Sequence, residues 1–187
     1  MFGNLATNTQ IVNLEKSGYL IIEPFERSSL KAMSYTLNPG RVLRRSPDGE
    51  WEVSHAFSKG RPKCKLDPGE YVIVEPRQVV KIKAEGLVGR FVATSTNVED
   101  GLFVLAGQID SQYGMRGEAL RFGVKNLFDV PTYITNITRL VHMEVFDSRG
   151  SSSEPLDRPN DNKIWQARVR DPKWERDDSD GPLPIGA

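Results

Sequence analysis

From residue 19 to residue 147 the apolar side chains recur with a period of two, in short runs broken by Gly, Pro, Asn and Asp. Val80, Ile82 and Ala84, for example, alternate with Lys81, Lys83 and Glu85. Alternation puts successive side chains on opposite faces, so each run is a strand seeking one covered face. Strands of this kind are expected over residues 19–23, 51–57, 71–75, 80–84, 87–93, 102–109, 117–125, 131–136 and 140–146. With no helical pattern between them, a parallel α/β sheet is excluded and an all-β sandwich or barrel follows. The one helical stretch is residues 7–18, where Thr7, Asn8 or Thr9 can cap the start, Ile11 and Leu14 share a face, and Gly18 suits a left-handed stop.

A chain of 187 residues is one domain's worth. We expect a domain over residues 1–147 and a tail over 148–187, where Ser and Pro displace the alternation. Trp165 and Trp174 break the polar character of that tail and are expected to dock on the body, on a neighbouring subunit, or over a ligand. Lys+Arg and Asp+Glu number 25 each, so a general electrostatic grip on nucleic acid or an anionic membrane is not expected. The basic run between residues 24 and 65, with Arg41, Arg44, Arg45, Lys59, Arg61, Lys63 and Lys65, is interrupted by Asp48, Glu50 and Glu52 and reads as a solvated face. Cys64 has no disulfide partner, and with only His55 and His142 no zinc spacing exists, so no protein metal site is expected. His55, on the apolar side of its strand, reads as a hydrogen-bonded core or interface histidine. No apolar run approaches a membrane span and the N-terminus lacks a signal pattern, which makes the cytoplasm the expected compartment.

Three clusters can carry chemistry. Residues 89–97 run from a strand into Thr94, Ser95, Thr96 and Asn97, whose hydroxyls and backbone N–H groups suit phosphate oxygens, although such residues favour any turn. In residues 106–113, Ala106, Gly107 and Gln108 lead to Asp110 and Tyr113; Asp110 is either a general base holding a water or the cap of a turn. In residues 115–123, Glu118, Leu120 and Phe122 are expected on one strand face, with Arg116 or Arg121 neutralising Glu118.

Taken in order, these pieces resemble the dCTP deaminase and trimeric dUTPase superfamily. Ser17-Gly18-Tyr19 through Phe25 and Ser34-Tyr35-Thr36-Leu37 look like the opening of dCTP deaminases, Asp67-Pro68-Gly69-Glu70 like the family's strand entry, and Leu87-Val88-Gly89-Arg90 like its Leu-Val-Gly-Arg. Ala106-Gly107-Gln108-Ile109-Asp110 fits Ala-Gly-x-Ile-Asp, and Asn126-Leu127 and Ile137-Thr138-Arg139-Leu140 fall where the last strands belong. The likeness spans roughly residues 9–147. It implies a dUTPase-like β-barrel or jelly-roll-type (β-clip) subunit, a homotrimer with active sites between subunits, a C-terminal tail closing over a pyrimidine deoxynucleotide, and Mg2+ carried by the triphosphate. It also implies roles: Asp110 activating water, Tyr113 under the deoxyribose, Ala106 and Gln108 along the base, and Ser95 and Thr96 on the phosphates.

The departures are equally specific. Thr94 and Glu99 stand where the family has arginines, Thr36 replaces an Asp, and His142 replaces a Gln. Gly114 and Met115 lengthen the stretch before Arg116-Gly117-Glu118, so the deaminase Glu position falls on Phe122, which has no proton to transfer. Glu118 would sit about 13 Å away along a strand. Arg116, Arg121 and Arg139 are the candidates for the missing cation. The sequence therefore reads as a pyrimidine deoxynucleoside triphosphate-handling protein with degenerate dCTP deaminase or dUTP diphosphatase motifs; the alternative is a non-catalytic trimeric nucleotide-binding, regulatory or structural module.

Overall fold

Two antiparallel sheets enclose the core. The computed structural model describes residues 4–149. The chain divides after Ser151 into two units, and the second lies outside the described residues, as do the expectations placed on Trp165 and Trp174. The elements are β1 (Asn4–Leu5), α1 (Asn8–Lys16), β2 (Leu20–Glu23), β3 (Tyr35–Leu37), β4 (Pro39–Arg45), β5 (Trp51–Ala56), β6 (Lys63–Leu66), β7 (Tyr71–Pro76) and β8 (Val79–Ile82). They continue with β9 (Leu87–Ala93), α2 (Ser95–Glu99), β10 (Leu102–Leu105), β11 (Gln108–Ile109), β12 (Phe122–Asn126), β13 (Thr132–Thr135) and β14 (Val141–Asp147). Sheet I runs β1-β14-β9-β11, with β3 also on β14; sheet II runs β10-β12-β7-β4-β5; β13-β6 and β2-β8 are separate pairs.

Alternation decides which side chains meet between the layers. Val72 and Val74 of β7, with Phe122 and Val124 of β12, point inward from sheet II, and Phe91, Val141, Met143 and Val145 point inward from sheet I; all are buried. Phe91 and Phe122 join the sheets edge to face, with ring centroids 5.1 Å apart. Helix α1 seals one side with Ile11 and Leu14. Its start is a capping box, Gln10 N–H donating to Thr7 Oγ1 and Thr7 N–H to Gln10 Oε1, and Gly18 follows its end at φ +72°.

The all-β class and the N-terminal helix are as the sequence predicts, while several boundaries differ for local reasons. The expected strand over residues 102–109 breaks at Ala106-Gly107, where the chain leaves sheet II as β10 and enters sheet I as β11. The strand expected from residue 117 begins only at Phe122, because Gly114 and Gly117 adopt φ +79° and +85° and turn the backbone. Val53, expected inward with His55, is exposed: the β4–β5 register shifts between Val42 and Leu43, so His55 opposes Val42 while Val53 opposes Leu43 on the other face. His55 is buried and held by the carbonyl of Arg61 at 3.2 Å, against Phe57.

Candidate functional site

Thr36, Val92 and His142 come from distant parts of the chain and lie side by side, because β14 pairs with both β3 and β9. Thr36 is buried, and its hydroxyl shares a hydrogen bond with His142 Nδ1 at 3.1 Å. At the end of β9 the expected hydroxyl loop is instead the start of helix α2. Thr94 caps it by accepting the Asn97 N–H, and its own hydroxyl donates to the Arg139 carbonyl at 3.1 Å. Asn97, fully buried, donates from Nδ2 to the Leu140 carbonyl at 2.7 Å. The backbone carrying Arg139 is thereby clamped against α2, which presents Ser95 and Thr96 to solvent on its first turn. Thr94 itself, 2% exposed, is committed to structure.

Beside this junction lies a polar cleft of about 350 Å³, lined among others by Lys31, Thr36, Asn38, Arg77 and Arg139. Arg77 is paired with Glu26 at 2.5 Å. Lys31 and Arg139 form no ion pair among the described residues, which leaves two cations free for an anion. The field of these two is felt by His142: burial first, then the charges of Lys31 and Arg139, hold its pKa below the ordinary imidazole value, with Glu144 opposing. Because the folded value lies below the free side chain's value of about 6.5, the group costs nothing above that pH; as pH falls from there through the lowered value, the unfolded chain takes the proton first and stability is lost. His142→Gln is expected to reduce this acid-side loss, read as a smaller shift of the urea midpoint between about pH 7.5 and about pH 5.

The Asp110–Tyr113 turn sits elsewhere. Gln108 and Ile109 of β11 pair with Arg90 and Gly89, which brings Asp110 beside Val88, whereas Ser95 lies past Ala93 at the opposite end of β9. At strand rise the two are about 20 Å apart within one chain. The turn is docked on β8: Gln112 N–H donates to the Ile82 carbonyl at 2.7 Å and Ile82 N–H to the Tyr113 carbonyl at 3.0 Å. Gln112 adopts φ +71°, a strained conformation for a residue with a Cβ, and its side chain is tied to the Lys83 carbonyl at 3.0 Å. Gly114 is held tightly, since a Cβ there would stand 2.6 Å from the Val80 carbonyl oxygen.

Ala106, Gln108 and Asp110 are exposed along this edge, and Gln108 Nε2 approaches Asp110 Oδ1 at 3.4 Å. Tyr113 is half-buried against the core, and burial, then the nearby Glu118 charge, raises its pKa. Arg116 is exposed and its N–H donates to Glu118 at 3.0 Å. Glu118 is not on a strand and shares no face with Phe122, which is 1% exposed in the core. Thus the structure gathers Arg139, Ser95 and Thr96 at one end of β9 and Asp110 and Tyr113 at the other, with Gln108 opposite Arg90 in the middle of the strand and Ala106 beyond it toward the Ser95 end. Lys31 and Arg77 escaped the sequence reading because no local pattern marks them; only strand pairing brings them to Arg139. Among the described residues no cluster of three His, Cys, Asp or Glu side chains could hold a metal.

The 2'-deoxycytidine 5'-triphosphate deaminase from Agrobacterium tumefaciens superposes with a TM-score of 0.61 at 12% identity, over 79% of this chain and 49% of the deaminase chain, so this chain spans about half of it. A dUTPase from phage phi11 of S. aureus, described with a structural Mg(II) ion, aligns at 14% identity with a TM-score of 0.48 over 74% of this chain and 96% of its own. The Staphylococcus bacteriophage 80alpha dUTPase aligns at 14% identity with a TM-score of 0.46 over 75% and 97%. No protein-family model and no curated protein matches the sequence. The deaminase superposition shows that the chain has the fold of the dCTP deaminase and dUTPase superfamily.

Proposed function

We propose that this chain handles a pyrimidine deoxynucleoside triphosphate at a site completed between copies of a homotrimer. What carries the reading is the pair of uncommitted cations, Lys31 and Arg139, in a polar cleft beside Ser95 and Thr96. The triphosphate lies in that cleft, and the base and sugar lie on the Ala106–Tyr113 edge of another copy. Two copies are needed for Asp110 to act on a triphosphate held beside Ser95, because these two residues lie past opposite ends of β9, about 20 Å apart within one chain. Magnesium would arrive with the triphosphate, whose charge it would screen.

Hydrolysis at phosphorus fits the residues better than deamination does. Asp110, exposed and next to Tyr113, takes a proton from a water; the water oxygen bonds to the α-phosphorus, and the bond to the β-phosphate oxygen breaks to release diphosphate. Deamination needs a carboxylate where this chain buries Phe122. Among the described residues no helix is long and apolar enough to cross a membrane, and the cytoplasm, where deoxynucleotides are handled, is the compartment proposed.

A second reading, a trimeric nucleotide-binding or regulatory module without catalysis, is favoured by the commitment of Thr94 to capping and by Glu99 in place of a cation. Incubation with Mg2+ and dUTP or dCTP, following diphosphate and ammonia, separates the two. We expect diphosphate from dUTP, reduced about 100-fold or more in Asp110→Ala with binding retained. Calorimetric binding without turnover selects the module, and neither binding nor turnover removes both.

A further inference from the structure

The basic run that the sequence presents as a solvated face delivers two of its arginines to the outer surface of sheet II. Cross-strand pairing arranges that surface in rows. One row carries Leu105, Gly123, Ile73, Leu43 and Val53. The next carries Phe103, Lys125 and Tyr71, then Arg45 paired with Trp51. At the far end Glu75 sits between Arg41 and Arg121 and is ion-paired to both. On the rows just described and beside Glu75, four cations, Arg41, Arg45, Arg121 and Lys125, thus accompany one buried carboxylate, although the whole chain has zero formal charge. The sequence average hides this segregation.

Three aromatics lie among these cations. Phe103 and Tyr71 are 49% and 41% exposed on their strands, and Trp51 meets Tyr71 edge-on at 6.1 Å. The Tyr71 ring lies across Gly123, where a Cβ would come within 2.2 Å of its hydroxyl, so glycine lets the ring lie flat. Lys125 stands between Phe103 and Tyr71 and makes no ion pair among the described residues. A lysine in the middle of an apolar face is unfavourable against a protein partner, whose interface cores exclude Lys, and favourable against a polyanion with stackable rings.

The face ends in a cleft of about 230 Å³ lined among others by Arg41, Gln78, Lys81 and Leu120 and by two carboxylates, the paired Glu75 and the exposed Glu118. Gln78 is 2% exposed; its Oε1 accepts the Asn38 N–H at 3.1 Å, and its Nε2 has no partner among the described residues. A buried donor without an acceptor is costly, and one acceptor oxygen in the cleft would relieve it. The volume falls below the roughly 300 Å³ at which whole-ligand pockets begin, so the cleft suits one base-sized group of a longer molecule.

We infer that the outer face of sheet II binds single-stranded nucleic acid. Bases stack on Phe103, Tyr71 and Trp51, phosphates meet Lys125, Arg45 and Arg121, and an oxygen of one nucleotide accepts from Gln78 Nε2. A duplex keeps its bases stacked on one another and gains little from such a platform. This assignment stands apart from the nucleotide cleft at β3, β9 and β14, and each can fail alone.

Fluorescence anisotropy of the full chain with labelled oligothymidylate, oligouridylate and duplex of about 16 nucleotides tests it. Both single strands should outcompete the duplex, and the tighter of the two identifies the polymer. Phe103→Ala should weaken binding about tenfold. Lys125→Ala should weaken it and lower the salt slope by about 1, while Lys63→Ala, on β6, changes nothing. Absence of binding, or binding that Phe103→Ala and Lys125→Ala leave intact while circular dichroism shows them folded, overturns the proposal. So does mass photometry in which Phe103→Ala dissociates a larger assembly, since that would give the face to a second copy.

Discussion

Lys31→Ala/Arg139→Ala is expected to lose at least about 100-fold in affinity for a pyrimidine deoxynucleoside triphosphate, measured by calorimetry with Mg2+ present. Hydrogen bonds to charged groups contribute about 1.5–3 kcal/mol each, so removing two predicts about 3 kcal/mol or more. The loss should not extend to stability, because neither side chain forms an ion pair among the described residues. His142 supplies a second readout. Lys31 and Arg139 both depress its pKa, so a bound polyanion that offsets their charge should raise it, and by linkage binding should strengthen as pH falls. A double variant that binds within twofold of the parent, or a His142 resonance that titrates identically with and without ligand, would remove the cleft as the phosphate site.

The largest effect on folding is expected at Asn126, which is fully buried at the end of β12. Its Nδ2 donates to the carbonyls of Leu66 at 3.3 Å, Asp67 at 3.1 Å and Val130 at 2.9 Å, and its Oδ1 accepts the Phe128 N–H at 3.0 Å. One amide thus joins the Asp67-Pro68-Gly69 turn to the loop before β13. Truncation leaves several buried backbone groups unmatched, at about 1–3 kcal/mol each where no water replaces the amide, so Asn126→Ala should destabilise by about 3 kcal/mol. Urea unfolding with an unchanged slope is the measurement. Thr96→Ala, exposed on α2, should stay within about 0.5 kcal/mol. A cost below about 1 kcal/mol for Asn126→Ala would mean that the turn and the loop hold together without it.

These two sites differ in how much of them could be read in advance. Asn126 falls inside a stretch whose order along the chain resembles the superfamily, and Arg139 was a candidate cation from the same likeness. Lys31 could not be found, since it follows a short 3₁₀ turn with no periodicity and reaches Arg139 only through the pairing of β3 with β14. Asp110 and Tyr113 were legible as a turn with chemistry, but their distance from Ser95 was not. Both clusters follow β9 in sequence, and the antiparallel return through β11 carries Asp110 back to the start of β9 while Ser95 stays past its end.

Local pattern was sufficient wherever a free-energy term acts between near neighbours. Alternation set the strands and the all-β class, the Thr7–Gln10 box and Gly18 set the limits of α1, and Asp67-Pro68-Gly69 set a turn. It failed wherever a contact from far along the chain had a casting vote. Thr94 is drawn out of solvent because its hydroxyl, besides capping α2, also donates to the distant Arg139 carbonyl, and Val53 turned outward because a register shift reversed the alternation. The charges cancel in the sequence but segregate on sheet II, because pairing register, rather than order along the chain, chooses which cations share a face.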